Sequence, residues 1–139
     1  MVNLTRFAPL ALAVLRIVTA LLFIEHGTMK LLGFPAMPAM PDGPGGADGL
    51  PMIMVIGGVL EIGGGLAVLI GFLTRPVAFI LSGEMAVAYW TMHVPSGGFF
   101  PILNSGDGAV LYCFIFLYLV FAGPGMWSID GLRDPASHR

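Results

Sequence analysis

Charge is scarce in this sequence. Of its 139 residues only 10% are Asp, Glu, Lys or Arg while 57% are hydrophobic, and the mean hydropathy is +0.91, so a water-soluble surface does not follow from this composition. The chain reads as one membrane domain, 1–139, and an autonomous soluble catalytic domain is excluded. A basic excess is missing as well. Six Lys and Arg against eight Asp and Glu leave a net charge of -2, which offers no field for collecting nucleic acid. Cysteine is all but absent: the single Cys113 excludes an intrachain disulfide framework, a CxxC couple and a cysteine-rich zinc or iron–sulfur site. Any redox chemistry must borrow its electron carrier, and Cys113 itself reads as a small buried hydrophobe.

Apolar runs are what the chain has in abundance. They predict an all-α fold, an integral membrane antiparallel four-helix bundle with spans at about 7–32, 50–73, 77–93 and 107–123. A Pro/Gly/Met stretch from Gly33 to Pro51, the turn Thr74-Arg75-Pro76, and Pro95 to Pro101 with Gly97 and Gly98 divide them. The last run is short for a hydrocarbon core of about 30 Å, although Asn104, Ser105 and Asp107 supply capping chemistry for an early start. Arg16 lies inside the first run and no small-x-small cleavage site follows, so this run reads as a retained helix rather than a secretion signal. Arg6, Arg75, Arg133 and Arg139 flank the spans on one side, whereas the 33–50 and 94–106 connections hold no Lys or Arg. The positive-inside rule then puts both termini and the central turn in the cytoplasm, with the two longer loops facing outward. Phe7, Phe34, Phe72, Tyr89, Trp90, Phe99, Phe100 and Trp127 suit the interfacial belts.

Six ionisable residues fall within or beside the apolar runs: Arg16, Glu25, His26, Lys30, Glu61 and Glu84. A charge at mid-membrane costs about 2.5–3.5 kcal/mol on insertion scales, so partners are expected. At 1.5 Å per residue, Arg16 lies about 13 Å from the inner start of its helix, Glu84 about 12 Å from Pro76 and Glu61 about 18 Å from Leu73. These similar depths predict a buried charge layer in which Arg16 bridges to Glu84, to Glu61, or to both. Gly57, Gly58, Gly64 and Gly65 share a helical face with Glu61, which favours close approach of a neighbouring helix. A packing seam with a buried ion pair and a functional charge layer both fit that face.

A second polar group gathers toward the outer side: Glu25, His26 and Lys30 on the first helix, His93 at the end of the third, and Asn104 and Asp107 before the fourth. His26 and Lys30 are an i, i+4 pair. Glu25 points roughly the other way, toward lipid, toward another subunit, or inward through a helix relaxed at Gly27. Asp107, Leu111, Phe114 and Tyr118 share a face of the fourth helix, an aromatic wall below the outer acid. A flat apolar ring such as a quinone suits that wall, with Glu25, His26, Lys30 and Asp107 as proton-handling groups and His26, His93, Asn104, Phe114 and Tyr118 as its binding residues. Duller roles exist for several of these: Lys30 can snorkel, and Asp107 and His93 can cap helix ends. Haem ligation by His26 and His93, and Cu(I) binding by Met37, Met40 and Met52, are set aside; no metal centre is assigned.

The motifs Glu25-His26-Gly27, Lys30-Leu31, Gly33, Glu61 with Gly64-Gly65-Leu66, Gly71 before Thr74-Arg75, Asn104 and Gly106 with Tyr112, and Gly123-Pro124-Gly125 ahead of Ser128 and Asp130 run along nearly the whole chain. As a set they resemble the DoxX family of small bacterial four-helix membrane proteins. That family's usual Asn-Gly-Gly-Glu before the fourth helix reads Asn104-Ser105-Gly106-Asp107 here, a shorter acid. The resemblance implies the bacterial inner membrane and an association with membrane redox systems, since relatives occur with thiosulfate oxidation coupled to quinone reduction and with oxidative-stress responses. The expected role is a quinone-linked oxidoreductase subunit or accessory, in a homo-oligomer or a larger redox complex within the lipid bilayer. A noncatalytic anchor or assembly subunit is the alternative, and a proton-coupled transporter of a small solute ranks third.

Overall fold

The computed structural model describes residues 3–36 and 49–133, and among these every regular element is helical. Helix α1 covers Ala8–Leu32 after a 3-10 turn at Leu4–Phe7, and α2 covers Met52–Ile70. Helix α3 covers Thr74–Ala88 and continues through a π turn at Tyr89–His93 into Val94–Gly97. A single turn at Pro101–Asn104 leads to α4, Asp107–Ala122, and a short α5 follows at Ile129–Arg133. The third helix thus runs past the proline expected to end it. A π turn widens the backbone just before Pro95, where the missing N–H and the ring would otherwise break an α-helix.

The stretches containing α1, α2 and α3 are long and apolar enough to cross a membrane, whereas α4 is an apolar helix of 16 residues, about 24 Å long. Helix α1 lies along α2, α3 along α4, and α2 against α3. Close contacts are made possible by absent side chains. A Cβ on Gly27 would sit 2.8 Å from the Gly58 carbonyl oxygen and 2.7 Å from Ile62, and one on Gly64 would sit 2.7 Å from Leu81. The α2 glycines therefore serve two neighbours, Gly58 and Gly65 toward α1 and Gly64 toward α3. Phe23, Leu81, Phe116 and Leu119 are fully buried between the helices, while Val14, Val18, Ile56, Phe79 and Phe121 point outward, as a lipid-facing surface requires.

One end is tied together by three charged side chains acting on helix termini. Arg16, with no exposed surface, presents five N–H donors to five carbonyls. Nε donates to Pro124 at 2.7 Å, Nη1 to Val68 and Leu69 at 2.7 and 2.5 Å, and Nη2 to Met126 and Trp127 at 3.1 and 2.9 Å. Arg75 donates to Val120 and Phe121 at the close of α4, at 2.6 and 2.8 Å. Both guanidiniums thus stand at helix C-termini, where the macrodipole favours a cation. Asp130 does the reverse, accepting from the backbone N–H groups of Leu73 and Thr74 at the start of α3, at 2.9 and 2.8 Å. Leu73 is held there at φ 48, and the adjoining Gly71, at φ 67, leaves no room for a Cβ beside Ser128.

These bonds overturn the expected charge layer. Arg16 bridges to neither Glu61 nor Glu84; it lies level with the last turn of α2. Gly27, eleven residues further along α1, is the position that meets Glu61. The depth estimate failed because it set the starts of α1 and α3 in one plane. The segment after α4 instead packs beneath α2 and beside the first turns of α1, where Met126 N–H donates to the Pro9 carbonyl at 3.4 Å, so α1 overhangs α2 at this end.

Candidate functional site

The opposite end holds a second group of ionisable side chains. Lys30 Nζ lies 2.5 Å from Glu61 Oε1, and the carboxylate is only 2% exposed. The close approach at Gly27 and Gly58 lets a lysine near the end of α1 reach back to an acid in the middle of α2. Glu84 of α3 completes the group: a Cβ at Gly57 would lie 3.3 Å from Glu84 Oε1 and 4.0 Å from Lys30 Nζ. The ammonium pairs with Glu61, and the Glu84 carboxylate stands nearby across Gly57. Their second oxygens, Glu61 Oε2 and Glu84 Oε2, are buried and have no hydrogen-bond partner among the described residues, an expensive arrangement in an apolar setting.

A cavity of about 330 Å³ opens beside this group, with His26, Lys30, Glu61, His93 and Tyr112 around it and Phe23, Met54 and Met85 among its apolar walls. Its size falls within the usual range for small-molecule sites, about 300–1,000 Å³. The His26 Nδ1 sits 2.8 Å from the Leu22 carbonyl, and the His93 Nδ1 sits 3.1 Å from the Asn104 carbonyl. A carbonyl only accepts, so Nδ1 is the donor in both contacts. The His26 ring meets Tyr112 edge-on at 5.5 Å, and Tyr112 continues an aromatic cluster with Phe23 and Phe116.

Of the residues singled out from sequence, His26, Lys30 and His93 line this cavity together with Glu61, and the rest do not. Phe114 and Tyr118 are 64% and 55% exposed on the outer face of α4. Phe114 borders a separate groove between α3 and α4, with Trp90 and Cys113. An aromatic wall exists, but the opposite side of α4 supplies it, through Tyr112, which packs on the buried Phe116. The spacing of Ala109, Tyr112 and Phe116 carried that signal, which the i, i+3, i+4 pattern of the bulkier outward residues obscured. Asn104 is buried and spends its side chain on the loop, donating to Gly98 O at 2.7 Å and accepting from Gly106 N–H at 2.8 Å. Asp107 is exposed in the first turn of α4, and Glu25 is exposed on α1, neither on the cavity wall. Cys113 is half-buried against α3, where Ser82 Oγ donates to its carbonyl at 2.9 Å. Met37 and Met40 lie outside the described residues, and Met52 is exposed at the start of α2.

The DoxX family model matches residues 11–94, which hold the Gly27 crossing, Lys30, Glu61, Glu84 and His93. The chain belongs to the DoxX family. It is 49% identical over 130 residues to an uncharacterized protein of Haemophilus influenzae, covering 92% of this chain and 94% of that one. It is 35% identical to the inner membrane protein YqjF of Escherichia coli, over 87% of this chain and 90% of YqjF. With the inner membrane protein YphA of the same organism the figures are 30% identity, 88% and 89%. No solved structure matches. Family membership and three helices of membrane-crossing length make this DoxX protein a multi-pass protein of the inner membrane.

Proposed function

We propose that this DoxX protein serves membrane redox metabolism as a quinone-linked oxidoreductase subunit or accessory, with His26, Lys30, Glu61, His93 and Tyr112 as its working residues. The observation that carries the reading is that four helices bring two imidazoles, an ammonium, a carboxylate and a phenol to one apolar-walled cavity. A quinone head group fits that set. Lys30 and Tyr112 can donate to its oxygens, the Phe23–Tyr112 cluster matches a flat ring, and the unpartnered Glu61 Oε2 can accept from a hydroxyl of its reduced form. Bound there, a quinone supplies the two-electron carrier that the chain does not encode.

The protein's own part is to hold the ring and move protons. His26 and His93, with Nδ1 anchored, take up or release a proton at Nε2, and Lys30 holds the Glu61 side chain in place. In this reading α4 completes an antiparallel four-helix bundle and both termini are cytoplasmic. Arg6, Arg75 and Arg133 then lie on the inner side and the cavity lies toward the outer leaflet. Quinone should co-purify in mild detergent at near one per chain from the wild type and be lost in His26→Ala. A quinone-free wild type, with His26→Ala leaving cellular redox behaviour unchanged, would overturn the reading.

A second reading, a noncatalytic anchor within a larger complex, is favoured by Glu25. This carboxylate faces outward from a helix of membrane-crossing length, where lipid is a poor neighbour and another chain a better one.

A further inference from the structure

A second cleft, of about 280 Å³, lies between α2 and α3. We infer that it is the entrance and tail channel for a membrane-dissolved ligand, one with a ring-sized polar head and a hydrocarbon or isoprenoid tail, which enters from the bilayer between these two helices. The inference rests on the reading above for the head group and adds the route and the ligand's shape.

Three observations converge on it. The cleft walls Ile53, Ile56, Ile80 and Val87 are each about half exposed, 52–53%, so the channel opens sideways toward acyl chains rather than toward water. Its inner end is polar: Lys30 and Glu84 close it, and Glu84 Oε2 is a buried acceptor without a partner. The cleft and the imidazole-lined cavity also share Lys30, Met54, Met85, Ala88 and Met92, so these side chains form the partition between the two spaces. Unbranched methionines make that partition adaptable. Gly57 sits in the cleft opposite Glu84, and any larger residue there would narrow the passage. The roomier groove between α3 and α4 lacks this chemistry, since no ionisable side chain but those of Tyr89 and Cys113 lines it.

A tail moving from lipid to the cleft stays in apolar surroundings, so it adds little affinity, and its position is the proper readout. The test uses purified full-length protein in phospholipid nanodiscs and a benzoquinone carrying a ten-carbon tail with a terminal diazirine, mapped by mass spectrometry after irradiation. Binding of a tail-less benzoquinone is measured in parallel. Label is expected on Ile53, Ile56, Ile80 or Val87, suppressed by excess unlabelled tailed quinone. It should be lost from these residues in Gly57→Leu and in Ile56→Trp, while Val110→Leu in the other groove leaves it unchanged. Saturable binding of the tail-less ring with label on Trp90 or Phe114, or with label indifferent to both cleft variants, would overturn the entrance and leave the head-group reading standing. Absence of saturable binding by either compound would overturn both.

Discussion

Arg16 shows how a single side chain is accommodated in an apolar interior without a salt-bridge partner among the described residues. Each of its N–H groups meets a carbonyl, and two of those carbonyls belong to the end of α2, so the balancing negative charge comes from backbone dipoles. Lysine keeps the charge but has three donors on a compact head. Arg16→Lys therefore leaves at least two carbonyls unpartnered and is expected to destabilise the protein by about 2–4 kcal/mol, read as a lower unfolding midpoint in detergent with the cavity residues unchanged. That Arg16 needed partners was legible in the sequence, because an arginine amid apolar residues is costly. Which partners it takes was not: carbonyls leave no mark in a sequence, whereas glutamates do, and the visible acids drew the assignment.

At the scale of elements, the three side chains at the helix ends decide where α2, α3 and α4 start or stop. Burial alone would raise the Asp130 carboxyl, but the N–H groups of Thr74 and Leu73 and the charge of Arg133 outweigh it and hold the group below its ordinary value. A depressed carboxyl stabilises the fold above the unfolded-state pKa of about 3.9, and that contribution is lost as pH falls through the lower folded value. Asp130→Ala is expected to cost about 1 kcal/mol at pH 7, and its difference from wild type should shrink below pH about 4, as tracked by unfolding midpoints across pH. The apolar runs located α1, α2 and α4 to within a few residues. They missed the continuation of α3 through Pro95, because a π turn has no sequence signature comparable to a proline's. The caps were half legible: Ser128 and Asp130 stood out as a motif, and Ser128 serves the adjoining α5 through the Gly131 N–H, but the helix Asp130 serves begins more than fifty residues earlier.

For the whole molecule, the two ends have different work. One is closed by Arg16, Arg75 and Asp130 acting on backbone, and the other gathers His26, Lys30, Glu61, Glu84 and His93 around open space. Sequence reading put His26, Lys30 and His93 in one polar group, and they line one cavity because helix ends fix height. It lost Phe114, Tyr118 and Asp107 because the rotation of α4 depends on packing against Phe23, and Asn104 because its side chain is spent on the loop before that helix. Glu25 belongs at this scale, since its surroundings lie beyond the single chain. If it meets another subunit, affinity capture of the native complex should lose its dominant partner in Glu25→Gln and retain it in His26→Ala; a partner retained in both variants would rule out that contact.

The carbonyls that clasp Arg16 from Pro124, Met126 and Trp127 come as many as 111 residues later in the chain. During synthesis the first helix thus enters the translocation machinery carrying a cation whose complete set of acceptors has not yet been translated. Closure of the structure is consequently a late event. A product that stops before Gly123 lacks these three carbonyls and leaves the Arg16 Nε and Nη2 donors without them.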